Sequence, residues 1–199
     1  MPKNPLVRAV AFVALLLAIA AAVLVYTPWG RSLWQGRAVA GAALIGGPFH
    51  LTDQNGKART EADFRGQYLL VFFGYTNCPD VCPTTLQVLT DAMAKLGPAA
   101  GKVTPIFITV DPERDTVAAL KDYAANFDPR LVALTGSPAE IAAVAKEYRV
   151  YYAKSGEGPN YGMDHTGLVY LMGPDGAFVT HFTPQATADD IATDLRQRL

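Results

Sequence analysis

The residues best suited to chemistry are Cys78 and Cys82, the only two cysteines among 199 residues. A proline follows each of them, and Pro83 suits the first turn of a helix, where its missing N–H is not needed. Cys82 is therefore expected at a helix N-terminus, where the macrodipole favours a thiolate over a thiol. Two thiolates at one turn can form a disulfide, attack one, or bind Cu(I) or Zn(II).

A purely structural role for the two cysteines is the alternative. A disulfide between Cys78 and Cys82 would close a loop of only five residues, and the chain-entropy formula gives it roughly 2 kcal/mol. Two prolines and a helix start are more than so small a crosslink requires. The pattern therefore favours redox or metal chemistry.

The segments around the cysteines have the alternation of an α/β sheet. An apolar run at 68–73 predicts a buried strand, and 84–96 has the apolar spacing of a helix. A strand-to-helix turn is where a doubly wound fold exposes reactive groups. Further strands are predicted at 48–52, 103–110, 131–134, 166–172 and 177–182, further helices at 117–127, 139–148 and 186–199, a helical turn at 61–65, and a loop or hairpin insertion at 151–161. The sheet is expected to be mixed, because its last two strands form a hairpin.

One histidine is a candidate third ligand. His165 directly precedes the predicted strand 166–172, whose start is expected to face the cysteines. Two thiolates and one imidazole form a set suited to copper or zinc. Asp164 is a candidate to orient that imidazole. The remaining histidines and the neighbouring methionine are interpreted as structural: His50, His181 and Met163.

The N-terminal part predicts a single-pass membrane protein. Residues 1–8 form a short basic tip, 9–30 an uncharged and mostly apolar stretch, and 31–47 a linker rich in alanine and glycine. The apolar stretch is about long enough to span a bilayer. A cleavable signal peptide is the alternative, but the apolar run continues past its small-residue sites. The net charge of −1 and the lack of a basic block exclude nucleic acid as an expected partner.

Three motifs, in this order, resemble the Sco/SenC family of copper-delivery proteins. They are residues 74–83 (GYTNCPDVCP), residues 110–116 (VDPERDT) and the pair Asp164-His165. The resemblance extends from about Phe49 to the C-terminus. It implies an α/β, thioredoxin-like fold with an N-terminal β-hairpin extension in residues 48–199, preceded by one transmembrane helix.

The resemblance also implies a function. Cys78, Cys82 and His165 are expected to bind Cu(I) and Cu(II), and the two cysteines to form a redox-active disulfide. The protein is expected to be a metallochaperone rather than an enzyme. It would receive copper from other periplasmic carriers and assemble the dinuclear copper centre in the copper-receiving subunit of cytochrome c oxidase. Its place would be the inner (cytoplasmic) membrane, with the soluble domain on the periplasmic side.

Other positions of the motifs are expected to support the site. Asp80 and Asp111 match acidic positions of the family motifs and are candidates for partner docking or control of the metal loop. Asp164 matches the acidic residue beside the histidine. Asn77 stands where the family often has histidine, a departure that affects partner contacts rather than the ligands.

Two enzymatic hypotheses use the same cysteines. A thiol–disulfide oxidoreductase could keep the cysteines of the copper-receiving subunit reduced, although thioredoxin-type enzymes separate their thiols by two residues and this chain by three. A thiol peroxidase is favoured by the resemblance of residues 81–85 to the peroxiredoxin pattern. That pattern requires threonine three residues before the reactive cysteine, where Pro79 stands.

Overall fold

The computed structural model describes residues 45–158 and 161–199, together with the single residue Phe12. The strands in these ranges are His50–Asp53 (β1), Ala58–Thr60 (β2), Tyr68–Gly74 (β3), Val103–Thr109 (β4), Val132–Thr135 (β5), Tyr152–Ser155 (β6), Gly162–His165 (β7), Val169–Met172 (β8) and Phe178–Phe182 (β9). The α-helices there are Val81–Leu96 (α1), Val117–Ala124 (α2), Pro138–Glu147 (α3) and Ala188–Arg196 (α4). Short 3-10 helices lie at Glu61–Phe64 and Gly97–Lys102.

Seven of these strands form one mixed sheet in the order β2-β1-β5-β4-β3-β8-β9. Strands β3, β4 and β5 are parallel. Strand β8 runs antiparallel to β3, and β9 antiparallel to β8. At the other side, β1 pairs antiparallel with both β2 and β5. The predicted mixed α/β sheet and its N-terminal hairpin are confirmed.

The central strand β3 carries the site because it is the most buried part of the sheet. It has strands on both sides, and every residue from Leu69 to Gly74 is buried. A strand covered on both faces needs a continuous apolar run, since neither face reaches water. Phe72 and Phe73 are fully buried and anchor the end of the strand from which the cysteines follow.

Three of the four α-helices among the described residues begin at a capping side chain. Ser137 and Thr187 each form a reciprocal capping box with the acidic residue three positions later. Thr116 accepts a hydrogen bond from the N–H of Ala119 at the start of α2. Helices α2 and α4 end earlier than predicted, at Ala124 and Arg196.

The prediction of a strand at 166–172 is wrong for residues 166–168. Strand β8 begins only at Val169, and His165 instead ends β7, the second strand of a separate hairpin. Residues 151–161, predicted to form either a loop or a hairpin insertion, contain the first strand of that hairpin. The prediction of a hairpin is therefore confirmed. We call β6 and β7 together the histidine hairpin.

The predicted membrane segment lies outside the described residues. This applies to the tip at 1–8, to the stretch 9–30 apart from Phe12, and to the linker at 31–47 up to residue 44. Within the ranges that are described, no helix is both long and apolar enough to cross a bilayer. Leu44–Leu199 forms one compact unit.

Candidate metal centre

The two cysteines lie between the carboxyl end of β3 and the start of α1. We call residues 74–83 the cysteine turn. Helix α1 begins at Val81, so Cys82 is its second residue and Pro83 lies in its first turn. Both thiols are free: Cys82 is fully buried, and Cys78 is partly exposed.

The N-terminus of α1 lowers the pKa of Cys78, whereas the sequence predicted this effect for Cys82. Burial opposes ionisation of Cys78, but hydrogen bonds from the backbone N–H groups of Asp80, Cys82 and Val81 outweigh it and lower the pKa of Cys78. Burial raises the pKa of Cys82, although the N–H of Tyr75 opposes this shift. The expectation of a Cys82 thiolate favoured by the macrodipole is therefore wrong. The amides surround Cys78, while Cys82 points into the core.

Gly74 allows Cys82 to pack against the end of β3. A Cβ atom added at Gly74 would lie 2.8 Å from Cys82 Sγ and 2.8 Å from the ring of Phe107. Both distances are shorter than real side chains tolerate, because packed interiors leave no spare room. Glycine at this position therefore lets the buried sulfur approach the strand.

His165 reaches the cysteine turn from the histidine hairpin. Its Nε2 lies 3.5 Å from Cys82 Sγ, and its Nδ1 lies 3.2 Å from the carbonyl oxygen of Thr166. Because a carbonyl only accepts, Nδ1 carries the hydrogen, and the lone pair of Nε2 faces the sulfur. Burial lowers the pKa of His165, opposed by the Thr166 hydrogen bond, so the ring favours its neutral, metal-binding form.

The spacing of these donors fits a soft metal ion. Metal–sulfur and metal–nitrogen bonds of about 2.3 and 2.0 Å that meet near the tetrahedral angle separate S from N by about 3.5 Å. Cys82 and His165 have that separation. Cys78 Sγ lies 3.5 Å from the backbone nitrogen of Cys82, directed at the helix amides. Among the described residues no three His, Cys, Asp or Glu side chains already form a metal cage.

Asp80 contacts Cys78 through its backbone N–H rather than its carboxylate, and Asp164 acts on the His165 ring through its charge. Asp80 is exposed at the N-cap of α1, and its side chain makes no capping hydrogen bond. Asp164 is also exposed, because successive residues of a strand point to opposite faces. Asp164 was a candidate to orient the imidazole, and the Nδ1 of that ring is hydrogen bonded to the carbonyl oxygen of Thr166.

The two aspartates of the 110–116 motif are buried behind the site. Asp115 is fully buried and accepts hydrogen bonds from the N–H and hydroxyl of Thr76, at 3.0 and 2.6 Å, and from the hydroxyl of Thr109 at 2.6 Å. Burial raises the pKa of Asp115 against these hydrogen bonds. Asp111, also buried, accepts from the Tyr161 hydroxyl at 2.7 Å. Asp115 therefore holds the cysteine turn, and Asp111 holds the histidine hairpin.

Sequence reasoning missed Asp115 and two tyrosines. The Tyr75 ring packs edge-on against the His165 ring at 6.0 Å between centroids. The backbone of Met163 is hydrogen bonded to the Tyr75 hydroxyl. Tyr75 and Asp115 lie within the family motifs, which could have identified them as site residues. Nothing in the local sequence distinguishes Tyr161 from the other tyrosines.

The other histidines and Met163 lie as interpreted, on structural elements. His50 is an exposed residue of β1, and His181 an exposed residue of β9 that stacks on Phe178. Met163 is partly buried against the hydrophobic core.

Comparison with known proteins identifies the family. The family model described as SCO1/SenC matches residues 37–199. The chain belongs to the SCO1/SenC family. Its resemblance to that family, first suggested by three short motifs, is thereby confirmed.

Relatives within the SCO1/SenC family include mitochondrial and bacterial proteins. The chain is 43% identical over 174 residues to the mitochondrial SCO2 homolog of Bos taurus, which covers 85% of this chain and 65% of that protein. It thus spans slightly less than two thirds of that curated relative. The structure of Bradyrhizobium japonicum ScoI with copper bound is 52% identical, with a TM-score of 0.74 over 78% of this chain and 99% of that one.

A further SCO1/SenC structure concerns redox chemistry. BsSco is 30% identical to this chain, with a TM-score of 0.62 over 78% of this chain and 93% of its own. It is described as having a disulfide switch and as belonging to the Sco family of cytochrome c oxidase assembly proteins. These similarities confirm the thioredoxin-like Sco fold, and the solved copper complexes confirm copper as the metal of the family.

Proposed function

We propose that this protein is a membrane-anchored copper chaperone. In this proposal Cys78, Cys82 and His165 bind Cu(I) and Cu(II), and the protein delivers copper to the dinuclear copper site of cytochrome c oxidase. The apolar stretch at 9–30 would hold it in the inner membrane with its soluble domain on the periplasmic side. The copper-receiving oxidase subunit and other periplasmic copper carriers would be its partners.

The observation that carries the proposal is the contact between Cys82 and His165. These residues are 83 positions apart in the sequence, yet Cys82 Sγ and His165 Nε2 lie 3.5 Å apart. The imidazole tautomer directs a lone pair at the sulfur, and the second thiol lies on the same turn. A structural histidine would have no need of two free thiols at this spacing.

The donor set suits a protein that must both hold and release copper. Cu(I) is soft and prefers thiolates, whereas Cu(II) accepts imidazole well. Two sulfurs and one nitrogen leave the coordination sphere open to an incoming ligand from the acceptor. Since the thiols must be reduced and deprotonated to bind, copper loading depends on the redox state of the cysteines.

Copper stoichiometry of the reduced full-length chain tests this function. The wild type is expected to bind one copper ion, and Cys78→Ser, Cys82→Ser and His165→Ala each to lose it or bind it more weakly. His181→Ala, which removes an exposed histidine on β9, is the matched control and should bind like the wild type. A wild type that binds no copper, or equal binding by all variants, would contradict the proposal.

Delivery needs a separate measurement. The copper-loaded chain is mixed with the copper-receiving subunit of the oxidase, and copper is measured in each protein after separation. Transfer to the reduced subunit is expected, with little transfer when its copper-binding cysteines are blocked. Copper that stays with the chaperone in both cases would contradict the delivery role while leaving copper binding intact.

A second candidate function is favoured by the unequal environments of the two thiols. Cys78 is partly exposed and has the lowered pKa of an attacking thiolate, while Cys82 is buried beside it. The Cys78 thiolate would attack a disulfide of the receiving subunit, and Cys82 would then resolve the mixed disulfide. The target would gain two thiols, and the chain would retain a Cys78–Cys82 disulfide.

His165→Ala separates the two functions. Removing the imidazole should weaken copper binding strongly but leave dithiol exchange largely intact. Exchange is followed as the rate at which the reduced chain reduces a disulfide peptide. Cys78→Ser should abolish this reaction, and unchanged reduction by that variant would contradict the reductase hypothesis.

A further inference from the structure

The loop at residues 111–115, which we call the clamp loop, touches both halves of the site. Its buried Asp115 accepts hydrogen bonds from the N–H and hydroxyl of Thr76, two residues before Cys78. Its buried Asp111 accepts from the Tyr161 hydroxyl at 2.7 Å. The clamp loop therefore ties the cysteine turn to the hairpin that carries His165.

Tyr161 is the point at which the clamp loop holds the hairpin. The guanidinium carbon of Arg114 lies 3.7 Å from the centroid of the Tyr161 ring, and Lys154 Nζ lies 4.0 Å from it. Arg114 also donates a hydrogen bond to Asp111. The hydroxyl and the ring of Tyr161 therefore contact two side chains that are bonded to each other. Charge-assisted hydrogen bonds and cation–π contacts are stronger where water is excluded, and Tyr161 is buried.

The histidine hairpin depends on such contacts because it has no ladder to the main sheet. Within the described part of the chain, β6 and β7 pair only with each other. Tyr161 directly precedes β7, and Met163 and His165 follow it at intervals of two residues, so the three side chains lie on the same side of the chain, where each is at least partly buried. The position of Tyr161 therefore influences where the imidazole at the other end of β7 lies.

We propose that Tyr161 is a positioning residue that sets the distance of His165 from the two sulfurs. This inference rests on the proposed copper function and concerns one ligand of that site. A looser hairpin should affect binding that depends on the imidazole more than binding by the thiolates. Cu(II) binding should therefore weaken, while Cu(I), which prefers sulfur, should be held nearly as before.

Tyr161→Phe in the full-length chain is the test, since it removes the hydroxyl and keeps the ring. Tyr151→Phe is the matched control, because Tyr151 is the neighbouring tyrosine with its side chain 66% exposed. The measurements are dissociation constants for Cu(II) and Cu(I), the sulfur-to-Cu(II) charge-transfer absorption, and amide exchange of the metal-free hairpin. Loss of a group that orients a ligand typically weakens metal binding by about 10- to 100-fold.

The expected result has four parts. Tyr161→Phe weakens Cu(II) binding about tenfold, shifts the charge-transfer band, leaves Cu(I) binding nearly unchanged and speeds amide exchange in 152–165. Tyr151→Phe changes none of these. In a His165→Ala background Tyr161→Phe has no further effect on Cu(II) binding, because the residue acts through the imidazole.

Three results would overturn the inference. They are unchanged Cu(II) binding in Tyr161→Phe, equal weakening of both copper states, or an undiminished effect of Tyr161→Phe without the imidazole. A wild type that binds no copper would instead refute the proposed function. In that case amide exchange of the metal-free chain still decides whether Tyr161 holds the hairpin, and unchanged exchange would overturn the positioning role.

Discussion

Two β-hairpins of the described residues, the N-terminal hairpin β1–β2 and the histidine hairpin, are attached to the protein in opposite ways. In the N-terminal hairpin, β1 forms backbone pairs with β5 of the main sheet, at Thr52 with Thr135 and Asp53 with Leu134. The histidine hairpin pairs only within itself among the described residues, and side chains of the clamp loop hold it. The N-terminal hairpin is therefore part of the main sheet, whereas the hairpin that carries His165 is attached through side chains.

Attachment through backbone hydrogen bonds and attachment through side chains respond differently to amino-acid substitution. A ladder uses the main chain, which every residue supplies, so its register survives most substitutions. A clamp depends on a few named polar groups, such as Asp111, Arg114 and Tyr161. The position of the hairpin that carries His165 therefore depends on these few side chains.

The largest expected change in the free energy of unfolding comes from a substitution on the buried face of the N-terminal hairpin. Leu51 is 3% exposed and contacts the core below β1. Leu51→Ala should lower the free energy of unfolding by about 2–5 kcal/mol, because it leaves a cavity. Denaturant unfolding measures this change, and copper stoichiometry of the folded protein should not change.

His50→Ala is the matched control for Leu51→Ala. His50 is the preceding residue of β1 and is exposed, so its loss should change stability by less than about 0.5 kcal/mol. Reduced copper binding by folded Leu51→Ala would show that the N-terminal hairpin also shapes the metal site. That outcome would contradict the separation of the two hairpins.

An intermediate effect is expected at the turn of the same hairpin and depends on pH. Burial opposes ionisation of Asp53, but the N–H groups of Lys57 and Asn55 and the Arg59 guanidinium outweigh it and lower the pKa of Asp53. The unfolded state therefore binds more protons than the folded state just below the ordinary aspartate value of about 3.9. The stabilisation is present above that value and is lost as the pH falls through the lowered pKa.

Asp53→Asn should remove this part of the acid sensitivity. At neutral pH the variant should be less stable by about 1–3 kcal/mol, since hydrogen bonds to a charged group are lost. The difference from the wild type should shrink as the pH falls below about 4. Urea unfolding at several pH values measures it, and a difference that stays constant with pH would refute the assignment to Asp53.

The smallest expected effect is at an exposed contact of the histidine hairpin. Glu113 and Lys154 form an ion pair at 3.1 Å, with side chains 65% and 50% exposed. Glu113→Gln should destabilise the protein only slightly, because exposed pairs are screened by water and salt. Amide exchange of β6 at low and high salt measures the effect.

Glu157→Gln is the control for that pair, since Glu157 is an exposed carboxylate in the loop of the same hairpin. Any change specific to Glu113→Gln should vanish at high ionic strength. If Glu113→Gln loosened the hairpin as much as Tyr161→Phe, the exposed pair rather than the buried tyrosine would be the main attachment.

Prediction from the sequence worked best where local pattern and burial coincide. The run before the cysteines is apolar at each position because β3 is covered on both faces, so its existence and type were predictable. The caps at Thr116, Ser137 and Thr187 act within one helical turn, so neighbouring residues set the starts of α2, α3 and α4. These signals need no knowledge of distant residues.

Prediction failed where distant groups decide the outcome. His165 was assigned to the start of a sheet strand, because its local pattern is equally compatible with the end of a hairpin. The thiolate was assigned to Cys82, because the helix start was recognised but the direction of each sulfur was not. Asp115 was overlooked because its partners, Thr76 and Thr109, lie on other segments.

The sequence by itself determined that two thiols lie at a strand-to-helix turn, and it determined the order of strands and helices outside the histidine hairpin. Residue type and short-range periodicity encode these features directly. Only the tertiary structure decided which sulfur faces the helix amides, which nitrogen of His165 faces Cys82, and how the clamp loop joins both halves. Each of these depends on burial and on hydrogen bonds between residues far apart in the chain, which no local pattern records.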